Sequence, residues 1–369
     1  MKILQIQFSK SSSLGGGNSY RYNLMKYLNN LHFSTIDFDE KNNKSLYQSL
    51  PNVNTCTIFR SPFTEITFLN FLKHLLLDIF SIINLKRKIY SLEYEVINFH
   101  GVSHFKSFQI IDKIFKGRFT RLMFLFLFKK RNNVIMTLHN IHKISNSTNK
   151  FIYDEYLSFF QNFICVDNHI YNYVKDKNLH KNIFLLPNSV PSNKLKNIKP
   201  KGFKKEIVIG FVGRNAETTN DIKMLTDLVN KNINGVKFKL LIAGKKIENI
   251  SCGEIIYNLP PHEIYKYYSE FDLVFNPILH NAISRVTLEA MSFGVPVMMY
   301  NYNNRSQYFN DLNGISIDQN LTMIIDKIKF YRDNRPLLLN ISKNSKSVID
   351  EHYSNHVVLK RLLEIYKNL

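Results

Sequence analysis

The sequence predicts an α/β protein made of two doubly wound parallel-sheet domains. Three observations carry this reading. Residues 272–299 hold a short apolar run, Leu273-Val274-Phe275, bounded by Asn276-Pro277, then a loop, a helical segment from Val286, and a second apolar run, Val295 to Met299; that order is a strand, helix, strand unit with both strands buried. Short apolar runs alternate with helical patterns through both halves of the chain, as parallel sheets require. Between the halves, Pro187 to Lys205 is polar, lysine-rich and contains three prolines, the composition of a linker.

At 369 residues the chain is long enough for two domains at about 150 residues each. Its 44% hydrophobic and 13% aromatic content excludes a disordered chain. Cys56, Cys165 and Cys252 are far apart with no C-x-x-C, which fits a reducing compartment without a disulfide framework or zinc site. Met1 to Phe8 alternates like a first strand and lacks the apolar core of a signal peptide, so a cytoplasmic location is expected. The formal charge of +20 allows nucleic acid, an anionic membrane surface or a phosphate-bearing substrate. No helix-turn-helix, RNP or zinc-finger pattern accompanies the charge, so no nucleic-acid partner is expected.

After the first strand, Gly15-Gly16-Gly17 precedes apolar residues at helical spacing from Tyr20 to Leu28. A glycine loop before a helix lets backbone approach a ligand and turns amide donors toward phosphate; a surface turn has the same composition. Asp37-Phe38-Asp39 could chelate a divalent ion, but the plainer reading is a strand end running into a charged loop, and no metal is required elsewhere. Two dense apolar stretches, Phe68 to Leu85 and Phe119 to Phe128, end in Lys86-Arg87-Lys88 and Lys129-Lys130-Arg131. They read as core helices with solvated basic ends, or as an amphipathic basic surface that docks on anionic lipid.

Glu95 to Gly101 and Asn133 to Asn140 each read as a buried strand with a histidine at its end, His100 and His139. Phe163 to Val166 and Ile183 to Leu186 are two further short strands. The second half opens with Glu206 to Arg214, a strand that delivers an arginine to a loop; Asp221 is placed to cap the helix that follows. A permanently charged, bidentate guanidinium at such a place suits a diphosphate. Lys239 to Lys245 is the next strand, Pro261-His262-Glu263 opens a helix, and residues 353–369 form a terminal helix.

The run Asn281-Ala282-Ile283-Ser284-Arg285-Val286-Thr287-Leu288-Glu289-Ala290-Met291, followed by Gly294-Val295-Pro296-Val297, resembles the signature of the retaining GT-B glycosyltransferases of family 4, the glycosyl transferases group 1. That resemblance implies a GT-B fold, two Rossmann-like domains facing a cleft, with residues 1–187 on the acceptor side, 188–205 as linker and 206–352 binding a nucleotide-sugar. The terminal helix would pack back on the first domain. It implies that Glu289 binds the ribose, that Arg214, Lys223 and the backbone amides of Ala282 to Ser284 serve the diphosphate, that Arg285 belongs to the donor site, that Gly15 and Gly16 line it, and that His139 meets the transferred sugar.

Asn281 stands where the family carries a catalytic-side carboxylate, Asn220 where it carries a lysine, and Asn18 where it often carries a glutamate. The implied function is retaining transfer, without metal or other cofactor, from a nucleoside-diphosphate sugar to a saccharide or lipid-linked saccharide in surface glycan assembly, with peripheral docking on the inner membrane face. The alternative is a non-catalytic GT-B subunit that binds a partner or a membrane.

Overall fold

The computed structural model describes residues 1–7, 16–39, 46–59, 68–91, 93–100, 111–112, 118–128, 133–139, 157–177, 182–191, 206–217, 220–279, 283–301 and 309–369. The chain divides into two compact units, Met1–Pro187 with Leu359–Leu369, and Asn188–Val358. Each unit is a parallel sheet with helices, which makes the protein α/β.

The first unit carries β1 (Lys2–Gln7), β2 (His32–Asp39), β3 (Val53–Phe59), β4 (Val96–His100), β5 (Val134–Leu138), β6 (Asn162–Cys165) and β7 (Asn182–Leu185). Their order in the sheet is β3-β2-β1-β4-β5-β6-β7, and every pair is parallel. Strands β4 and β5 are buried at all five positions, because a parallel sheet is covered on both faces. Helices α1 (Gly16–Tyr27), α2 (Phe68–Ser91), α3 (Arg118–Phe128) and α4 (Asn168–Asp176) accompany them. Phe99, Phe124, Phe128, Phe160 and Phe163 lie in one apolar core with Leu85, Ile89 and Val174.

In the second unit, β8 (Ile207–Arg214), β9 (Val236–Ala243), β10 (Glu254–Tyr257), β11 (Leu273–Asn276), β12 (Val297–Tyr300) and β13 (Ile315–Ile317) lie in the order β10-β9-β8-β11-β12-β13. Helices α5 (Ile222–Val229), α6 (Pro261–Tyr268), α7 (Arg285–Ser292), α8 (Leu321–Asp333) and α9 (Arg335–Val348) pack with it. Two apolar clusters result, one including Leu225, Phe238 and Ile324, the other Val274, Leu288, Val297 and Ile349.

Helix α7 stops as its sequence requires. Gly294 takes φ +68°, Val295 N donates to Ala290 O at 2.9 Å and Gly294 N to Met291 O at 2.9 Å, the paired closure that a left-handed glycine permits. The strand after it therefore begins at Val297 rather than Val295, since Val295 spends its amide on the helix. β9 likewise runs from Val236 to Ala243, earlier than the Lys239 to Lys245 expected, because Gly244 turns at φ +103°.

The chain passes out of the second unit along α10 (Asn355–Lys367), after a five-residue π-helical turn, Ile349–Tyr353. There Val190 N donates to Tyr353 O at 3.0 Å and Asn355 N to Val190 O at 2.9 Å, so the entering and leaving segments of the unit are stitched by a parallel bridge, Val190 to Ser354. Neither β10, β13, α8 nor α9 was expected from the sequence.

Candidate functional site

In both sheets the connection order reverses beside the first strand, between β1 and β4 and between β8 and β11. Ligands of open parallel sheets bind at the carboxyl ends of the strands at such a switch point. Around the second switch point, β8 ends in Arg214, which is exposed, and β11 ends in Asn276. The two following segments are joined: Asn220 bridges Ile278 in antiparallel register, and Asp221 N donates to Pro277 O at 2.8 Å. This brings the loop after Arg214 beside the loop that leads to α7.

Helix α5 starts there because Asp221 caps it, its carboxylate accepting from Met224 N at 3.0 Å. Lys223 is exposed in the first turn of α5. Asn220, in the place of the lysine the resemblance expects, is buried and donates through Nδ2 to Arg214 O at 2.9 Å. It acts as a backbone tie for the end of β8.

Helix α7 is started by Ser284, whose Oγ accepts from Thr287 N at 3.1 Å. Asn276 Nδ2 holds the cap, donating to Ser284 Oγ at 2.9 Å and to Thr287 Oγ1 at 2.7 Å. The Ser284 side chain is thus committed to the helix start. One turn on, Arg285 Nη2 donates to Glu289 Oε1 at 2.8 Å, the i,i+4 pair a helix brings together. Both side chains are mostly buried, 15% and 14% exposed. Tyr265 donates its hydroxyl to Glu289 Oε1 at 3.4 Å and Tyr268 to Oε2 at 3.2 Å. Burial first, and then the Glu289 charge, push the Tyr265 hydroxyl up to about 12 and Tyr268 well above its ordinary range, so both remain donors.

Glu289 is therefore held by three donors on two helices. Arg285 is not matched in the same way: its Nε and Nη1 are buried and have no hydrogen-bond partner among the described residues. Leaving buried donors unmade is costly, and each of these nitrogens still has a hydrogen to donate. The carboxylate fixes the arginine through Nη2.

In the first unit His139 follows β5 directly and lies against His100, the last residue of β4; His139 Nε2 and His100 Nδ1 are 3.1 Å apart, and the two rings are nearly parallel, at 13°, and meet edge to edge with centroids 5.4 Å apart. His100 is buried, and desolvation first, then the Arg21 charge, hold its imidazole well below the usual range. Gly16 begins α1. Gly15 and Asn281 lie outside the described residues.

Sequence reasoning named Arg285 and Glu289 but passed over Tyr265 and Tyr268, although their i,i+3 spacing puts them on one face of the helix Pro261 opens. It also passed over Gln5 and Asn98, polar residues inside apolar runs and fully buried. A polar side chain at a core position of a strand is the signal that could have found them.

Residues 193–348 match the family model described as glycosyl transferases group 1. Among solved structures, HepE from Anabaena in complex with UDP-glucose is similar over 100% of both chains at 14% identity and a TM-score of 0.73. Sucrose-phosphate synthase from Thermosynechococcus elongatus is similar over 100% of this chain and 98% of its own, at 14% identity and a TM-score of 0.73. TarM matches over 99% of this chain and 98% of its own, at 15% identity and a TM-score of 0.73. At such identities the likeness is one of fold. Among curated proteins the sequence finds no significant match. The chain has the GT-B fold, and its residues 193–348 are similar to the glycosyl transferases group 1 model.

Proposed function

We infer that the protein is a retaining glycosyltransferase that takes its sugar from a nucleoside-diphosphate donor bound to the second unit. The observation that carries the donor site is Arg285, two of whose guanidinium nitrogens are buried without a partner among the described residues while a third is fixed by Glu289. Departure of the nucleoside diphosphate leaves negative charge on phosphate oxygens, and donors fixed beforehand stabilise it without reorganisation. Arg285, Arg214 and Lys223 supply that charge in place of a metal; Glu289 takes the ribose hydroxyls, Gly15 and Gly16 line the site, and His139 and Asn281 position the sugar. The HepE structures in complex with UDP and UDP-glucose support a uridine donor as the first to try.

The acceptor is a saccharide or a lipid-linked saccharide, and the first unit docks on anionic lipid. Helix α2 exposes Leu72, Leu76, Ile79, Phe80 and Ile83 at helical spacing, with Leu76 67% and Phe80 60% exposed. Helix α3 adds Leu122, Leu125 and Phe126, and Lys86 Nζ lies 3.6 Å from the centre of the Phe126 ring, which joins the two stripes. Lys73, Arg87, Lys88, Arg118 and Arg121 are exposed on the same helices. Apolar side chains with basic neighbours suit an anionic membrane surface. No helix among the described residues is long and apolar enough to cross a membrane. Lys129-Lys130-Arg131 lie outside the described residues.

The test is binding and turnover of a panel of nucleoside diphosphates and their sugars, followed by thermal shift and product analysis. A donor at about 100 times its dissociation constant raises stability by about 2.7 kcal/mol. A second reading, a non-catalytic GT-B subunit, is favoured by Asn220, which is spent on the Arg214 carbonyl where the resemblance expects a charged side chain. Asn281→Ala separates the two: an enzyme loses about five- to thirtyfold in turnover, whereas a protein that binds no nucleotide-sugar supports the second reading.

A further inference from the structure

The carboxyl ends of β1, β4 and β5 carry a chain of buried polar side chains that ends on helix α10. Thr137 Oγ1 donates to Asn98 Oδ1 at 2.9 Å, and Asn98 Nδ2 donates to the Tyr366 hydroxyl at 2.6 Å. Gln5 Nε2 donates to the same hydroxyl at 3.4 Å. The other end of the Gln5 amide, Oε1, meets His100 Nε2 in a short hydrogen bond, and His100 Nδ1 meets His139 Nε2 at 3.1 Å. Gln5, Asn98 and Thr137 are fully buried, and His100 and Tyr366 are 2% exposed.

We propose that Tyr366 is a positioning residue which, through Gln5 and His100, fixes Nε2 as the protonated ring nitrogen of His139. The direction of the chain is set at the Tyr366 oxygen, which takes both amide nitrogens. Asn98 presents its amide nitrogen to Tyr366, and the phenol oxygen accepts. Gln5 spends its nitrogen on that oxygen as well, and so presents only its carbonyl to His100. A carbonyl cannot donate, and His100 Nε2 must therefore carry a hydrogen.

A neutral imidazole has one hydrogen, which leaves the lone pair of His100 on Nδ1. Burial and the Arg21 charge keep His100 neutral. His139 must then donate from Nε2, and in its neutral form it holds its lone pair on Nδ1. The partner of the distal nitrogen sets the tautomer of a working histidine. Without the phenol oxygen the Gln5 amide is free to turn over, and the direction of the whole chain reverses. Because α10 joins the first unit only at the end of the chain, the tautomer of a residue at position 139 depends on one at position 366.

The consequence for turnover rests on the proposed transferase reading; the tautomer does not. The experiment is a long-range proton–nitrogen correlation spectrum of the full chain labelled with 15N-histidine, at mildly alkaline pH where an imidazole is neutral. The His139 signals are assigned by their loss in His139→Gln. The wild type should show His100 and His139 both protonated on Nε2. Tyr366→Phe, which keeps the ring, and Gln5→Leu, which removes the amide, should each convert His139 to a mixture of tautomers. If Tyr366→Phe does not fold, Gln5→Leu decides alone. A wild-type His139 protonated on Nδ1, or a wild-type pattern surviving in the folded variants, overturns the proposal. In turnover, Tyr366→Phe should lower kcat about two- to tenfold at unchanged donor KM, since only the competent fraction of a tautomer mixture works. A wild type that transfers no sugar sinks the transferase reading and leaves the spectra to judge this one.

Discussion

Arg285 and Glu289 face each other across one turn of α7 at 2.8 Å, yet the pair is unequal. The carboxylate has three donors, whereas the guanidinium has two buried nitrogens without a partner among the described residues. A pair present only for stability would satisfy both members, because a buried donor left unmade costs about 1–3 kcal/mol.

Substitution at either residue should therefore weaken donor binding in a protein that still folds. Glu289→Ala removes the anchor of Arg285 and the proposed ribose acceptor, and affinity for the best nucleoside diphosphate should fall about tenfold or more, which is about 1.4 kcal/mol. Arg285→Lys should do the same, since a point-like ammonium cannot replace a fork. Calorimetric titration of the folded variants measures this. Wild-type affinity in both would place the nucleotide elsewhere.

Alkaline pH should unfold the protein through its buried tyrosines. Tyr265 and Tyr366 are each pushed up to about 12 by burial, and Tyr268 is raised well above 10.0 by burial and then Glu289. Unfolded tyrosines lose their protons near pH 10. A folded pKa above the unfolded one gives stability that is complete below pH 10 and is lost as pH rises toward 12. Denaturant midpoints should therefore decline across that window, with tyrosinate absorbance growing as the fold is lost. Tyr268→Phe should flatten the decline, whereas an unaltered slope would mean that Tyr268 ionises in the folded state.

Gly210 lies in β8 under the Phe271 ring, and a Cβ there would come within 2.4 Å of the ring. Phe271 is buried and packs with Val274 and Val297, so it has little room to move. Gly210→Ala should cost about 1–3 kcal/mol through overpacking. Combined with Phe271→Leu, the loss should be smaller than the sum of the two single losses, because the pair is in contact. Urea midpoints of the four proteins complete the cycle, and strict additivity would deny the contact.

Limited proteolysis should cut between Pro187 and Lys205, the polar, proline-containing stretch between two strand-rich halves. The terminal residues 359–369 count with the first unit, and Tyr366 is buried against Gln5 and Asn98. The two fragments should therefore elute together on native gel filtration and separate in denaturant. Separation without denaturant would mean that α10 is held weakly.

The α/β class and most of the strands were legible in the sequence, because a strand covered on both faces must be a short apolar run, as Val134 to Leu138 and Leu273 to Phe275 are. Asp221 as a helix cap and Gly294 as a helix stop were legible for the same local reason: each acts within a few residues of itself. Strand β13 and helices α8 and α9 were not, since three-residue strands and helices with mixed faces leave little periodicity to read. Arg285 and Glu289 were singled out by their motif. Their inequality was hidden, because it depends on Tyr265 and Tyr268, which a different helix supplies. The sequence by itself determined the α/β class, most of the strands and which charged residues stand at their ends. Only the tertiary structure decided who holds those residues, above all that position 366 reaches Gln5 and Asn98, because a hydrogen bond between residues hundreds of positions apart leaves no local pattern.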